Sequence, residues 1–471
     1  MLVLKRSRVG LIAGLMVLSG CASQTTDLMS TLRETAPEVW SAGYPMAGET
    51  VRSQFWASWN DPILVSLIEK ARTSHPDVLS SLATLRAARA GLREATASLL
   101  PKATIGMDGT HRRILGSSTD AWSATADGSW GLNLAGAEMH DREARYYEAL
   151  AKEISVSDAR ELVAAETARA YINLRASQGQ LDIAENMLKN YEQTAEVVLW
   201  RHRAGLAKTS ELEDADSQVA TAKSRVPQLK SAVAAYRNAL ARLTTRPVDQ
   251  LMLGKGDIPR APFGLTVSIP AQTLMQRPDV RAAQAMLLSA GSALNQAKAD
   301  YFPSLSIKGS FGTQAATLGT LGASGTGIAS LIGALSMPVL NWGTLQAREE
   351  RAVAALEESK ARYLSVVVRA LEDTDNALNG IRSAWDRERL LVQALVHAEK
   401  SFELADLEYR SGMGDYARLL QVQQRLLTAR EAVTTNRAEL SLQHVALYRA
   451  LGGAWMGAYE QTIELKDDDH E

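Results

Sequence analysis

Hydrophobic and polar positions along this chain change period, and the same change is made again about two hundred residues later. In LSIKGSF (305–311), Leu305, Ile307, Gly309 and Phe311 alternate with Ser306, Lys308 and Ser310. That period of two marks a strand with one apolar face. In 103–111, Ile105 and Met107 alternate with Thr104 and Asp108. WSATADGSWGLNL (122–134) sets Trp122, Ala124, Ala126, Trp130, Leu132 and Leu134 on one face, and its counterpart is 326–340. Strands are therefore predicted at 103–111, 122–134, 305–313 and 326–340.

After each strand pair the period lengthens. Residues 142–203 and 347–410 are long helical stretches without proline, and at ~1.5 Å per residue each makes a rod of ~90 Å. Leu391, Leu395, Ala398, Phe402, Ala405 and Tyr409 form a 4-3-4-3-4 seam, matched by Ala184, Leu188, Tyr191, Ala195, Val198 and His202. Heptad spacing makes helices supercoil against a partner. Gly205 and Gly412 then break the rods, and second amphipathic helices are predicted at 207–245 and 416–451. A shorter helix precedes each strand pair, at about 77–98 and 279–300, opened by the proline of HPDV (75–78) or RPDV (277–280).

The order of elements is thus written twice. Pro76 and Pro278 are 202 residues apart, as are Pro101 and Pro303. REAR (142–145) matches REER (348–351) at an offset of 206, and RAGLAKTSEL (203–212) matches RSGMGDYARL (410–419) at 207. ALAR (239–242) and ALYR (446–449) keep that spacing. An offset this steady predicts one structural unit made twice. Repeat 1 is placed at 61–250, a linker at 251–270, repeat 2 at 271–455 and a solvated tail at 456–471.

Composition narrows the class. The 471 residues are 46% hydrophobic and 22% charged, with a net charge of −2, so the chain is globular and has no basic field for nucleic acid. Residues 1–20 read as a signal peptide, with Lys5, Arg6 and Arg8 before the apolar LIAGLMVL (11–18). The sole cysteine, Cys21, follows in LSGC, which resembles a lipobox. Cys21 is expected to be lipidated at the start of an anchored segment, 21–60, and Ala22 resembles the outer-membrane sorting pattern. A single cysteine excludes disulfides within the chain. No later segment reaches 18 uninterrupted apolar residues, so a membrane crossing would have to be a closed barrel. The seven histidines are scattered, with no H-E-x-x-H and no Cys/His cluster, and the glycines of 317–327 lack the Walker Lys-Ser/Thr ending. No catalytic site, metal or cofactor is expected.

Four strands cannot close a membrane barrel, whose smallest forms have about eight. Open edges in lipid are prohibitively costly. Either the sheet packs on the helices in water, or two or three chains pool eight or twelve strands. Trp122, Trp130, Tyr301, Phe302 and Trp342 lie in the strands or near their ends, as interfacial aromatics would.

IPAQTLMQRPDVRAAQ (269–284), ADYFPSLSIKGSFG (299–312), MPVLNWG (337–343) and the twin RAG/RSG turns fall in the order found in the outer-membrane efflux protein family. The chain resembles that family over about 55–455, and the lipobox points to its lipoprotein branch. The resemblance implies a mainly α protein with a small membrane β part. Three copies would form a twelve-stranded β-barrel continued by an α-helical periplasmic tunnel, and two repeats per chain would give the tunnel approximate six-fold symmetry. It implies an outer-membrane exit duct for small molecules, joined through a periplasmic adaptor to an inner-membrane transporter of the RND type. A type I protein-secretion duct shares the architecture, and a lipid-anchored coiled-coil scaffold without a pore is the reading from another class. Family likeness also places the hairpin turns, with Gly205, Leu206, Gly412 and Met413, at the periplasmic tip where adaptors dock. Many members carry an acidic pattern such as LDVLDAQ after the second turn. This chain has YARLLQVQ (416–423), with Arg418 and Gln421 at the acidic positions. The candidate gate is accordingly a charged network of Asp415, Arg418, Gln421, Glu211 and Asp214.

Overall fold

The computed structural model describes residues 55–251, 253–261 and 274–453. The expected signal peptide, Cys21 and the acidic tail lie outside the described residues. Helix α1 (Pro62–Ser74) starts on proline, and the Asp61 carboxylate accepts from the Ile63 and Leu64 amides, both at 3.0 Å. That caps donors no helical carbonyl can reach. Helix α2 (Pro76–Ala97) also begins on proline, and the His75 ring accepts from the Asp77 amide at 3.2 Å. Strands β1 (Lys102–Ile114) and β2 (Ser117–Asn133) follow, then α3 (Ala137–Arg203) and α4 (Thr209–Thr244). The second unit repeats the order with α5 (Pro278–Ala299), β3 (Ser304–Ala315), β4 (Gly327–Ser336), α6 (Trp342–Arg410) and α7 (Tyr416–Ala450). With 67 and 69 residues, α3 and α6 are each about 100 Å long.

Several boundaries differ from the sequence reading. β2 begins at Ser117, earlier than 122, because its polar outer third pairs in full with β1 up to Ile114↔Ser117. β4 stops at Ser336 although 326–340 was expected. Pro338 has no amide to donate to a ladder, and α6 begins at Trp342. Both rods also start five residues early, α3 at Ala137 and α6 at Trp342.

The long helices pack as two antiparallel hairpins, α3 with α4 and α6 with α7. α2 lies on α3, and α5 lies between α3 and α6. Near the hairpin turns one cluster takes Val198 from α3, Ala215 from α4, Ala405 and Tyr409 from α6, and Tyr416, Leu419 and Val422 from α7. The two hairpins therefore share a core there, and each buried Val or Leu contributes about 1.5–3 kcal/mol. Midway along the rods, Phe55, Trp56 and Trp59 pack with Tyr448, Phe55 stacking on it at 4.2 Å between centroids. In the same cluster Leu251 and Leu253 lie against α3 and α4, which fixes the chain that leaves repeat 1.

Candidate conduit: the sheet and the helical tip

The four strands form one antiparallel sheet in the order β1-β2-β3-β4. Its register sorts the side chains into two faces. Ile105 lies opposite Ala126, Ala126 opposite Phe311, and Phe311 opposite Ala329. Met107, Trp122, Trp130, Leu132, Leu305, Ile307, Leu331 and Leu335 share that apolar face by parity. Thr104, Asp127, Ser310 and Ser330 form a row of the opposite face, beside Asp108, Ser123 and Gln314. No other described element covers the apolar face: Ile105 is 91% exposed, Leu331 81% and Phe311 73%. A soluble sheet does not leave such a surface bare.

The apolar face runs from the row of Leu132, Leu305 and Leu335 up to that of Trp122 and Ala315, ten residues along β2. At ~3.3 Å per residue this is ~33 Å of strand, or ~25 Å of height at a tilt of ~40°, the apolar band of a membrane barrel. Trp122 lies flat over Gly109, where an added Cβ would come within 2.8 Å of its ring. The indole thus covers a site that a larger residue would deny it. At the helical end, the Trp130 Nε1 donates to the Leu99 carbonyl at 2.9 Å, and Tyr301 meets Trp342 edge-on at 5.9 Å. Phe302 is exposed beside them. The aromatics singled out from sequence therefore do not lie at one level: Trp122 is near the far end, the other four near the helices. Asn133 ties the elbow, donating from Nδ2 to the Ala299 carbonyl at 3.1 Å and accepting the Ala135 amide at 2.8 Å. No helix among the described residues is long and apolar enough to cross a membrane.

At the other end both rods finish in the same cap. Gly205 (φ 74°) and Gly412 (φ 81°) adopt the left-handed conformation. The Leu206 amide donates to Arg201 O at 2.8 Å and the Gly205 amide to His202 O at 2.9 Å. Met413 to Glu408 at 3.0 Å and Gly412 to Tyr409 at 3.1 Å repeat the pattern. These pairs are Schellman motifs. They turn Leu206 (70% exposed) and Met413 (82% exposed) outward as two apolar knobs in equivalent positions. Just behind them Arg201 stacks over the Tyr409 ring at 4.7 Å and donates to the Tyr409 carbonyl at 3.2 Å, a bond from repeat 1 to repeat 2. Tyr409 and Tyr416 lie 6.1 Å apart. Burial pushes the Tyr416 hydroxyl up to about 12, with Asp214, Tyr409 and Glu211 adding to it. Tyr409 is raised by burial against the pull of Arg201, helped by Glu211 and Asp415.

Both the sequence and the fold of this chain have known relatives. The family model for outer membrane efflux proteins matches residues 67–246 and 269–453. The chain belongs to the outer membrane efflux protein family. It is 28% identical to the pyoverdine export outer membrane protein OpmQ of Pseudomonas aeruginosa, over 98% of this chain and 99% of that one. It is 27% identical to the toluene efflux pump outer membrane protein TtgF of Pseudomonas putida, over 87% of each. The solved structure of the outer-membrane channel OprN superposes with a TM-score of 0.85 at 27% identity, covering 90% of this chain and 97% of that chain. The open MtrE channel of Neisseria gonorrhoeae shares the fold, with a TM-score of 0.81 at 24% identity. This protein is an outer-membrane efflux channel. Its family and fold are those of passive channels rather than enzymes.

Of the five gate candidates, Glu211, Asp214 and Asp415 gather around Tyr409 and Tyr416. Arg418 instead donates to Gln421 at 3.2 Å, one helical turn along α7. Arg201 was not singled out from sequence. It stands in an ordinary-looking basic run, WRHR (200–203), which reads as charge suited to a helix C-terminus.

Proposed function

We infer that three copies of this chain pool their sheets into one twelve-stranded barrel, continued by the helical hairpins into a periplasmic tunnel, and that the assembly is the exit duct of a tripartite pump. The carrying observation is the two-faced sheet whose outer strands, β1 and β4, have no partner on their far edges among the described residues. Unpaired backbone in lipid costs several kcal/mol per group, so β4 of one copy meets β1 of the next until the ring closes. Lipid on Cys21 anchors each copy from the periplasmic side, a reading supported by LSGC after the signal peptide. Leu206 and Met413 are the contacts offered to a periplasmic adaptor, which joins the duct to an inner-membrane transporter of the RND type. The named activities of the relatives, pyoverdine export and toluene efflux, have small-molecule cargo, which supports a small-molecule duct over a protein-secretion duct.

The tip supplies the gate. Arg201 and Tyr409 bind the two hairpins of a chain together, while Asp415, Arg418, Gln421, Glu211 and Asp214 form the polar rim that narrows it. The test uses cells lacking their own exit duct and carrying the cognate pump and adaptor. The double variant Leu206→Asp/Met413→Asp is expected to reach the outer membrane as a trimer yet lose resistance to a pumped toxicant. Full resistance in that variant would contradict the docking role.

A further inference from the structure

The register places two lysines of the polar face in one row. Lys102, the first residue of β1, lies opposite Ser129, and Ser129 lies opposite Lys308 in β3. Their Cα atoms are two strand spacings apart, ~10 Å, at the end of the sheet nearest the helices. Neither lysine takes part in an ion pair among the described residues, and both are exposed. One row further out is Asp127, opposite Thr104 and Ser310. Its carboxylate accepts from the Thr125 hydroxyl at 2.7 Å. The next carboxylate on this face, Asp108, is two rows beyond, and Arg112 near the hairpin end is the next cation. Charge on the polar face is thus sorted by level, with the lysines concentrated where the helices enter the sheet.

We propose that Lys102 and Lys308 form an anion-attracting band at the mouth between tunnel and barrel, which favours solutes bearing carboxylate or phosphate groups. The inference rests on the duct reading above: closing the sheet with the polar face inward brings two lysines from each of three copies, six in all, around one lumen. Like charges lining a narrow water-filled passage bounded by low-dielectric walls focus the field and raise the local concentration of counter-ions. Asp127 reduces the surplus without cancelling it, since one carboxylate per copy faces two ammonium groups. Proline-to-proline alignment of the repeats pairs Lys102 with Ser304 rather than with Lys308. The two cations therefore meet through strand register, not through duplication.

The experiment measures block of single-channel current through the purified full-length assembly in planar bilayers by inositol hexakisphosphate added to both sides. Wild type is expected to be blocked. The double variant Lys102→Gln/Lys308→Gln is expected to need about tenfold more blocker or higher, while Lys102→Arg/Lys308→Arg keeps the wild-type value. Ser306→Lys, which adds a cation one row closer to the helices on the same face, is expected to tighten the block and does not depend on the double variant folding. An unblocked wild type, or equal block in wild type and the glutamine variant, overturns the band while leaving the duct intact. A correctly assembled trimer that passes no current even when the tip is loosened by Arg201→Ala overturns the duct reading, and the band with it.

Discussion

Arg72 donates to both oxygens of Glu161 at 2.9 and 2.8 Å and to the Tyr448 hydroxyl at 3.2 Å, and that hydroxyl donates to Glu161 at 2.7 Å. Three elements, α1, α3 and α7, are joined in one largely buried network. Removing the cation strands a mostly buried carboxylate, so Arg72→Met is expected to cost about 3 kcal/mol, and Tyr448→Phe about 1 kcal/mol. Denaturant unfolding in detergent checks both, and equal midpoints for wild type and Arg72→Met would contradict the network's role. Nearby, Asp158 is held above the ordinary carboxylate range by burial and by Asp279, with Arg449 and Arg277 opposing. The folded chain then keeps this proton to higher pH than the unfolded one. Stability from this group falls as pH rises from the ordinary aspartate value through the raised folded value, and the full penalty stands above it. Asp158→Asn is expected to stabilise the protein at neutral pH and to remove that slope. An unchanged neutral midpoint would contradict it. Little of this was legible in the sequence, because residues as far apart as Arg72, Glu161 and Tyr448 carry no local pattern.

At the scale of elements the chain was far more readable. Strands and rods announce themselves by period, since a sheet that is apolar on one face must alternate and a long helix must repeat its seam. The ends were less readable: Pro338 closes β4 early, while polar residues 117–120 carry β2 further than an apolar pattern shows. Strand register, which places Lys102 level with Lys308, is set by pairing in space and leaves no mark on either strand alone. Two predictions belong here. Gly205→Val and Gly412→Val force a branched side chain into the left-handed region at about 1–2 kcal/mol each. Faster amide exchange confined to the tips is the expected result, and unchanged exchange there would contradict the caps. On the sheet, Phe311→Arg on the apolar face is expected to cost about 2–4 kcal/mol and to deplete assembled protein in outer-membrane fractions. Ser310→Arg, its neighbour on the polar face, is expected to assemble normally. Equal yields would mean that the two faces do not meet different solvents.

For the whole molecule, one chain is an incomplete object. Among the described residues its sheet has two unpaired edges and a bare apolar face, and its two tips are alike only because the unit was made twice. On the proposed assembly, four strands become a barrel by pooling, and three copies of two repeats give a near six-fold tunnel below it. The measurement that tests this most directly is the mass of the mature protein in mild detergent, by light scattering corrected for bound detergent. A stable trimer that needs detergent even after Cys21→Ser is the predicted result. A monomer that stays soluble without detergent in that variant would contradict the pooled barrel and the duct with it.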